Sequence, residues 1–329
     1  MTDRNVLDII SQASERNARW LNLSNLDLEE LPPEIGQLTE LRVLWLSGNQ
    51  LTRLPSEIAG LRKLKRLRLE GNALAELPPE IGLLTELEEL QLHKNQLPRL
   101  PREFWSLVNL RLLTLAGNLL EELSGEIGQF KALEELKLGG YWEKVGNERD
   151  WSGGNQIKQL PPEIAQLSNL QSLVVSYNQL TALPPEIALL SSLQSLDVDD
   201  NLLTALPPEI AQLSNLRSLS VWGNQLTALL PEIAQLSNLR FLHVSNNPLT
   251  ALPPEIARLS NLQSLNVFYN QLITLPPEIA QLSKLRRLGI SGNEDLKFPP
   301  EIIEEGTKEP RQNKLTDCIY SAPAALAAP

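Results

Sequence analysis

The sequence lacks the features that mark a secreted protein or a membrane protein. Cys318 is the only cysteine among 329 residues, so an intramolecular disulfide is excluded and a reducing compartment is favoured. No apolar run approaches the ~18 residues that a membrane-spanning helix needs. The N-terminal segment is too charged for a secretory signal peptide. These absences predict a cytoplasmic protein with no membrane partner.

Basic residues are also in short supply. Lysine and arginine number 29 against 40 aspartates and glutamates, which gives a net charge of −11. A chain with this excess of negative charge is repelled by a phosphate backbone. The composition therefore predicts no nucleic-acid partner, and it favours solubility or attraction to a basic protein surface.

What the sequence does have is a 23-residue repeat. An asparagine closes a motif of the form LxxLxLxxN in each copy, and the step is broken once, between Asn118 and Asn155, which are 37 residues apart. A fixed period predicts one array of stacked coils rather than separate globular domains. The asparagines are Asn49, Asn72, Asn95, Asn118, Asn155, Asn178, Asn201, Asn224, Asn247, Asn270 and Asn293.

Each repeat predicts a coil with a strand on one side and a short helical turn on the other. In LxxLxL, leucines alternate with outward-facing residues, as they do in an extended strand. The asparagine that follows can satisfy backbone groups at the bend, so stacked asparagines predict a buried hydrogen-bonded ladder. The motif LPPEI suits a helix start, and its prolines exclude a second regular sheet.

The predicted fold is α/β, a right-handed curved solenoid of about twelve coils. Helical turns are wider than strands, so the parallel β-sheet should lie on the concave face and the helical turns on the convex face. We predict a capping helix at 1–17, the solenoid at 18–305 with a 14-residue insertion within 139–154, and a disordered tail at 306–329. The predicted capping helix carries apolar residues at helical spacing: Val6, Ile9, Ile10 and Ala13.

The motifs LxxLxLxxNxL and LPPEIxxL, at this period, resemble the leucine-rich repeat superfamily of the intracellular, Ras-associated type. The resemblance covers about Ala18 to Gly306, and it is narrower to the N-terminal repeats of bacterial Roco proteins. In those proteins a segment similar to PPEIIEEGTKE, which starts here at Pro299, leads into a Ras-like GTPase domain. The present sequence has no GxxxxGK[ST] phosphate loop, so GTPase activity is not carried over. The resemblance implies a leucine-rich repeat solenoid that acts as a protein-interaction module.

Two further functions follow from the resemblance as alternatives. The chain is similar to the sensor part of a GTP-dependent switch, with a small GTPase or another signalling protein as partner. A weaker alternative is a bacterial effector that acts inside a host cell. Cys318 also invites comparison with leucine-rich bacterial ubiquitin ligases, but only about 24 residues follow Glu305, too few for their helical catalytic domain.

The outward-facing strand positions form the predicted binding surface, because variation between repeats concentrates there. Aromatic side chains on a rigid sheet are typical of protein-binding anchors. The alternative is that these are isolated surface aromatics without a function. The predicted partner is a protein or an extended peptide. The predicted partner-binding residues of this face are Trp20, Trp45, Arg66, Arg68, His93, Asp197, Asp199, Trp222, Phe241, His243, Phe268 and Tyr269.

The interruption of the period, GGYWEKVGNERDWSGG, is a second candidate binding element. Glycine pairs at both ends allow a sharp exit and return, and long loops on rigid scaffolds often carry function. Its predicted partner-binding residues are Tyr141, Trp142 and Trp151. The alternative is a tolerated surface insertion whose aromatic side chains fold back onto the neighbouring coil.

Candidate catalytic residues and metal ligands are sparse. His93 and His243 lie six repeats apart, roughly 30 Å by the strand spacing, so they cannot share an active site. The segment DVDDN, which begins at Asp197, resembles the start of a calcium loop but lacks the glycine and the distal glutamate. The sequence predicts a protein without catalytic residues, metal or cofactor.

Overall fold

The computed structural model of the protein describes residues 3–140, 142–145, 148–151 and 153–297, the two short ranges by their backbone alone. The chain divides into two compact units, Met1–Gln179 (unit 1) and Leu180–Pro329 (unit 2). The predicted tail at 306–329, which includes Cys318, lies outside the described residues.

Unit 1 begins with a helix, α1 (Asp3–Glu15), which buries Val6, Ile10 and Ala13 and packs beside the first 3-10 helix. The strands of unit 1 are β1 (Trp20–Asn22), β2 (Val43–Trp45), β3 (Arg66–Arg68), β4 (Glu89–Gln91), β5 (Leu112–Thr114), β6 (Glu135–Lys137), β7 (Trp142–Val145), β8 (Glu148–Trp151) and β9 (Ser172–Val174). Strands β7 and β8 form an antiparallel hairpin, and the other seven form a parallel sheet in the order β1–β2–β3–β4–β5–β6–β9. The 3-10 helices of this unit are Pro33–Gln37, Ser56–Gly60, Pro79–Leu83, Arg102–Ser106, Gly125–Gln129 and Pro162–Gln166.

Unit 2 repeats the same coil without an insertion. Its parallel strands, which pair in chain order, are β10 (Ser195–Asp197), β11 (Ser218–Ser220), β12 (Phe241–His243), β13 (Ser264–Asn266) and β14 (Arg287–Gly289). Its 3-10 helices are Pro185–Leu189, Pro208–Gln212, Pro231–Gln235, Pro254–Arg258 and Pro277–Gln281. The described residues therefore contain twelve parallel strands, and the predicted leucine-rich repeat solenoid of strands and short helical turns is confirmed.

The helical turns follow directly from the LPPEI motif. Pro161 is extended (φ −68°, ψ 146°), and Pro162 then opens the helix, where a missing N–H costs nothing. Glu163 lies in the first turn, where it complements the positive end of the helix. Ile164 is fully buried, and its carbonyl accepts a hydrogen bond of 3.1 Å from the backbone N–H of Leu167. The motif thus starts the turn, orients it and anchors it to the core.

The predicted asparagine ladder is confirmed. Asn95 accepts a hydrogen bond from the backbone N–H of Leu74 at 3.0 Å and donates to the carbonyls of Leu69 and Leu92 at 3.0 and 2.9 Å. Because Leu69 and Leu74 belong to the preceding coil, each asparagine joins two coils through their backbones. The ladder satisfies buried backbone groups that would cost about 1–3 kcal/mol each if they were left unpaired.

A second asparagine ladder, which was not predicted, runs beside the helical turns. In LSNL and its variants, the asparagine side chain donates to a backbone carbonyl of the preceding coil. Asn109 donates to Thr85 and Asn238 donates to Ser214, both at 2.8 Å. These exposed bonds tie successive coils together away from the sheet.

The interruption of the period is the β7–β8 hairpin. Its roots are fixed to the coil that contains β9: the Gly140 N–H donates to the carbonyl of Ser176 at 3.0 Å, and the Ser176 hydroxyl donates back to the Gly140 carbonyl at 2.5 Å. A Cβ at Gly139 would lie 2.1 Å from the backbone oxygen of Ser176, so only glycine fits. The glycines therefore let the insertion leave and return without opening the coil.

Candidate functional site: the strand face

The candidate site is the outward-facing surface of the parallel strands, here called the strand face. In each three-residue strand the central leucine is buried and the flanking residues are directed outward, as in β1, where the pattern is exposed–buried–exposed. The parallel register places equivalent residues side by side, so that Trp20 pairs with Val43 and Asn22 with Trp45. Each unit therefore presents columns of side chains whose chemistry varies from coil to coil.

Trp20, Trp45 and Arg68 form a compact group on unit 1, the tryptophan–arginine cluster. The rings of Trp20 and Trp45 meet edge to face, with centroids 5.6 Å apart and an interplanar angle of 85°. The guanidinium carbon of Arg68 lies 4.9 Å from the ring centroid of Trp45, a cation–π contact. Trp20 is nevertheless 53% exposed. The cluster is a braced aromatic surface that remains open to solvent.

Glu89 partly neutralises the two predicted arginines. Its carboxylate, with a side chain only 17% exposed, lies 3.2 Å from Nη2 of Arg68 and 3.5 Å from Nε of Arg66. The side chain of Gln91 donates to the same carboxylate at 2.6 Å. The register of β3 and β4, which pairs Arg66 with Glu89, could have indicated this contact from the sequence. Arg66 keeps its outer surface free, because its side chain is 60% exposed.

Two polar atoms near this cluster are buried without a hydrogen-bond partner among the described residues: Nε1 of Trp45 and Oε2 of Glu70. The other carboxylate oxygen of Glu70 accepts a hydrogen bond from Ser47 at 2.7 Å. Groups of this kind cost about 1–3 kcal/mol each, and they are uncommon in stable interiors. The surroundings of Trp45 are therefore not optimised for stability alone.

The interpretation of His93 as an outward-facing residue is wrong. Its side chain is 1% exposed, and its Nδ1 lies 3.1 Å from the hydroxyl of Thr114. The chain bends at the next residue, Lys94, which has a φ of 56°, and the residue before the bend is covered by the following coil. Ser245 at the equivalent position of unit 2 is also 1% exposed. His93 therefore contributes to coil stacking and presents no surface to a partner.

Asp197 and Asp199 form an acidic pair on unit 2. Asp197 accepts a hydrogen bond from the backbone N–H of Asp199 at 3.1 Å, and Asp199 accepts one from the N–H of Trp222 at 2.7 Å. Burial and, to a smaller extent, the charge of Asp197 raise the pKa of Asp199 to about 8, although a hydrogen bond with Ser220 opposes the shift. Asp199 is therefore largely protonated at pH 7.

Ser220 connects this pair to His243. The Ser220 hydroxyl, which contacts Asp199, lies 3.4 Å from Nδ1 of His243. Burial lowers the pKa of His243 to about 4, so its imidazole is neutral at pH 7. The order of the groups, with the serine between the acid and the histidine, differs from the order that activates a serine nucleophile. Within the described part of the chain, no group of His, Cys, Asp or Glu side chains is arranged to hold a metal ion.

The aromatic residues of unit 2 differ in exposure. Phe241 is 48% exposed and Tyr269 is 62% exposed, whereas Trp222 and Phe268 are half-buried. Phe268 lies against β14, since a Cβ at Gly289 would come within 2.3 Å of its ring. The predicted aromatic positions therefore include two exposed rings and two that are partly covered by neighbouring coils.

The insertion contributes three predicted partner-binding residues, Tyr141, Trp142 and Trp151. Tyr141 lies outside the described residues. Trp142 and Trp151 are register partners in the β7–β8 hairpin, one strand starting and the other ending at this pair. The segment was predicted to be a loop, and its hairpin structure was not predicted.

No helix in the described portion of the chain is both long enough and apolar enough to span a membrane.

The fold defines a class of protein, the repeat solenoid with an open parallel sheet. A model of the family described as leucine-rich repeat region matches residues 15–102, 150–244 and 224–305, so the chain belongs to the leucine-rich repeat family. Among curated proteins, none matches the chain.

Solved structures of leucine-rich repeat proteins resemble the chain. A leucine-rich repeat protein of Leptospira interrogans is 36% identical, with a TM-score of 0.61, over 86% of this chain and 80% of that one. The plant peptide hormone receptor RGFR1, solved with RGF2, is 28% identical over 84% of this chain and 46% of its own, with a TM-score of 0.69. The ectodomain of the Arabidopsis thaliana receptor kinase GASSHO1/SCHENGEN3, solved with CASPARIAN STRIP INTEGRITY FACTOR 2, is 30% identical over 88% of this chain and 38% of its own, with a TM-score of 0.66. The chain spans less than half of each plant receptor chain.

Proposed function

We propose that the protein is a non-catalytic scaffold that binds a protein or an extended peptide on its strand face. The observation that carries the proposal is the tryptophan–arginine cluster, in which Trp20 is 53% exposed, Trp20 contacts Trp45, and Trp45 in turn contacts Arg68. An indole exposed to this extent is costly in water, and tryptophan and arginine are the side chains that most often dominate binding energy. Because the cluster is already braced, little conformational freedom is lost when a partner binds.

Unit 2 supports the same function with a different surface. Phe241 and Tyr269 are exposed aromatics, and Asp197, Asp199, Trp222, His243 and Phe268 supply polar and aromatic groups beside them. Both plant receptors named above were solved in complex with another molecule, RGF2 in one case and CASPARIAN STRIP INTEGRITY FACTOR 2 in the other. Those complexes favour a binding role for the repeat fold in general.

Affinity capture with matched variants tests the proposal. Trp20→Ala should reduce capture of a partner at least about tenfold, the loss of one hot-spot side chain. Leu83→Ala is the control, because Leu83 is 44% exposed but lies on a 3-10 helix rather than on the strand face. Equal capture by the wild type and Trp20→Ala would reject the cluster as a binding surface.

The same design applies to unit 2. Replacing both Trp222 and Phe268 with alanine should weaken capture, whereas Leu189→Ala should not. Leu189 is 63% exposed at the end of the 3-10 helix Pro185–Leu189, so it controls for the loss of exposed apolar surface. If Leu189→Ala weakens capture and the double variant does not, the partner binds the helical side of the coils.

A narrower role as the regulatory module of a Roco-type GTPase system is the second candidate. It is favoured by the segment PPEIIEEGTKE, which begins at Pro299 and is similar to a segment that precedes the GTPase domain in Roco proteins. This role predicts binding to a small GTPase that differs between its GTP and GDP states. Pull-down of nucleotide-loaded GTPases measures that difference directly, and nucleotide-independent binding would contradict it.

The cytoplasmic location and the alternative of a host-directed effector remain predictions. Cell fractionation would test the location, and a translocation assay would test the effector role.

A further inference from the structure

One column of side chains differs in charge between the two units. The column consists of the residue immediately before each strand. Backbone hydrogen bonds link successive members of the column within a unit. In unit 1 the N–H of Lys65 donates to the carbonyl of Arg42, and the N–H of Glu88 donates to that of Lys65, both at 2.8 Å. In unit 2 the N–H of Arg240 donates to the carbonyl of Arg217 at the same distance. Adjacent members of the column are thus neighbours in space, one strand spacing apart at ~4.8 Å.

In unit 1 the column begins with three cations, Arg19, Arg42 and Lys65, and two of its cations, Lys65 and Arg111, are paired with acids from the next coil. Nζ of Lys65 lies 2.6 Å from the carboxylate of Glu88. Nη2 of Arg111 lies 2.5 Å from the carboxylate of Glu134. Charges of opposite sign in neighbouring coils account for these residues as a stabilising feature of the surface.

In unit 2 the same column contains no acid. Its members are Gln194, Arg217, Arg240, Gln263 and Arg286, and the next residue after Arg286 is a further cation, Arg287 in β14. Within the described part of unit 2, the exposed side chains of Arg217, Arg240 and Arg287 form no ion pair. Like charges in directly adjacent positions destabilise a sheet, so stability does not explain this arrangement. We call Arg217, Arg240 and Arg287 the arginine edge.

An exposed ring stands beside the arginine edge. Phe241 follows Arg240, is 48% exposed, and has serines as register partners on both sides, Ser218 and Ser264. Small neighbours leave the faces of the ring open. A cationic row next to an open aromatic ring matches a ligand that combines anionic and apolar groups.

We propose that the arginine edge binds an acidic extended segment of a partner protein, with carboxylates on Arg217 and Arg240 and an apolar side chain on Phe241. The inference rests on the proposed function and adds the chemical class of the partner. Guanidinium groups recognise carboxylates through two parallel hydrogen bonds, so the exposed Arg217 and Arg240 select acidic side chains. A polyanionic nucleic acid fits poorly, because the net charge of −11 opposes it.

An array of random octapeptides tests the proposal, with the purified full chain as the probe. Peptides retained by the wild type should be enriched in aspartate and glutamate by about threefold or more, and 500 mM salt should reduce the retention. The double substitution R217Q/R240Q should abolish the enrichment. The control is R258Q, which removes an exposed arginine from the 3-10 helix Pro254–Arg258 and should leave the enrichment intact.

The outcomes separate this inference from the proposed function. Retention of peptides without an acidic preference, or an acidic preference that survives R217Q/R240Q, would overturn the inference and leave the proposed function standing. No retained peptide at all would count against both. Tighter binding of a single-stranded oligonucleotide than of any acidic peptide would also reject the proposed partner class.

Discussion

The side-chain amide of Asn155 donates a hydrogen bond of 2.6 Å to the carbonyl of Leu138, which precedes it by 17 residues. Elsewhere in the ladder the same bond reaches back only three residues, as from Asn118 to Leu115 at 2.9 Å. Asn155 also donates to the carbonyl of Leu115 in the preceding coil, so its place in the ladder is unchanged. The hairpin is therefore inserted between two residues that keep the contacts they would have without it.

Deletion of the hairpin should leave the protein folded. Removing residues 140–153 deletes 14 residues, joins Gly139 to Gly154 and restores the 23-residue spacing between Asn118 and Asn155. Because the ladder contacts do not depend on the hairpin, we expect a change in melting temperature of less than about 4 °C, equivalent to about 1 kcal/mol. Thermal unfolding followed by circular dichroism measures the change. A fall of 10 °C or more would show that the hairpin contributes to the core.

The two asparagine ladders should differ in their contribution to stability. Asn247 is buried and bonds Leu226, Val221 and Val244, so Asn247→Ala leaves several backbone groups unpaired and should cost about 3 kcal/mol. Asn238 is exposed and makes one bond to Ser214, and Asn238→Ala should cost about 1 kcal/mol or less. Urea denaturation of the two variants gives both free energies of unfolding. Equal losses of unfolding free energy in the two variants would mean that burial of the asparagine does not determine its contribution to stability.

The acidic pair of unit 2 predicts a loss of stability on the alkaline side. The pKa of Asp199 is raised from 3.8 to about 8 in the folded state, so its contribution to stability is present at low pH and is lost as the pH rises towards 8. The pKa of His243 is lowered from 6.5 to about 4, so the stability that this residue contributes is lost as the pH falls from 6.5 to 4. The two effects oppose each other below pH 6.5, and only Asp199 acts above it.

We therefore expect the free energy of unfolding to fall by about 1–2 kcal/mol between pH 6.5 and 8. Asp199→Asn keeps an oxygen for the N–H of Trp222 and removes the titration, so its stability should be flat over this range. Besides burial, the groups that bear on the pKa of Asp199 are Asp197 and Asp200, which raise it, and Ser220 and the N–H of Trp222, which lower it. Denaturant unfolding at several pH values measures the slope, and a wild-type slope that persists in Asp199→Asn would assign the effect to another group.

Two glycines should respond differently to substitution. At Gly139 a Cβ would lie 2.1 Å from the backbone oxygen of Ser176, so Gly139→Ala forces the coil backbone apart and should cost more than about 2 kcal/mol. At Gly289 the Cβ would meet the ring of Phe268, which can rotate away. Gly289→Ala should therefore cost about 1 kcal/mol or less, while increasing the exposure of Phe268. Thermal unfolding and the accessibility of Phe268 to a hydrophobic dye distinguish the two responses.

Much of the fold could be predicted because its determinants are local and periodic. The LxxLxL motif, the asparagine and the LPPEI motif specify strand, bend and turn within one coil, and the 23-residue period specifies that coils stack in register. The hairpin could not be predicted in the same way, since its 14 residues have no second copy against which to read a pattern. The second asparagine ladder was present in the repeat, but an exposed asparagine carries no signal of its own.

The candidate site was predicted less completely, because its chemistry depends on contacts between coils. Alternation along a strand identified Trp20, Trp45, Arg66 and Arg68, but it did not show that Glu89 binds both arginines. Alternation also placed His93 outside, where the bend at Lys94 in fact buries it. The contact of Ser220 with Asp199 and His243 depends on three successive coils, and none of these residues is close to another in sequence.

The sequence by itself determined the repeat, the strands and turns of each coil, the buried leucines and the ladder asparagines, because each depends on residues a few positions apart. Only the tertiary structure decided which outward-facing side chains meet. The register between coils paired Lys65 with Glu88 in unit 1 and set Arg217 beside Arg240 in unit 2. Residues 23 positions apart become neighbours at one strand spacing, and there the sign of each charge decides whether the contact stabilises the surface or leaves it open to a partner.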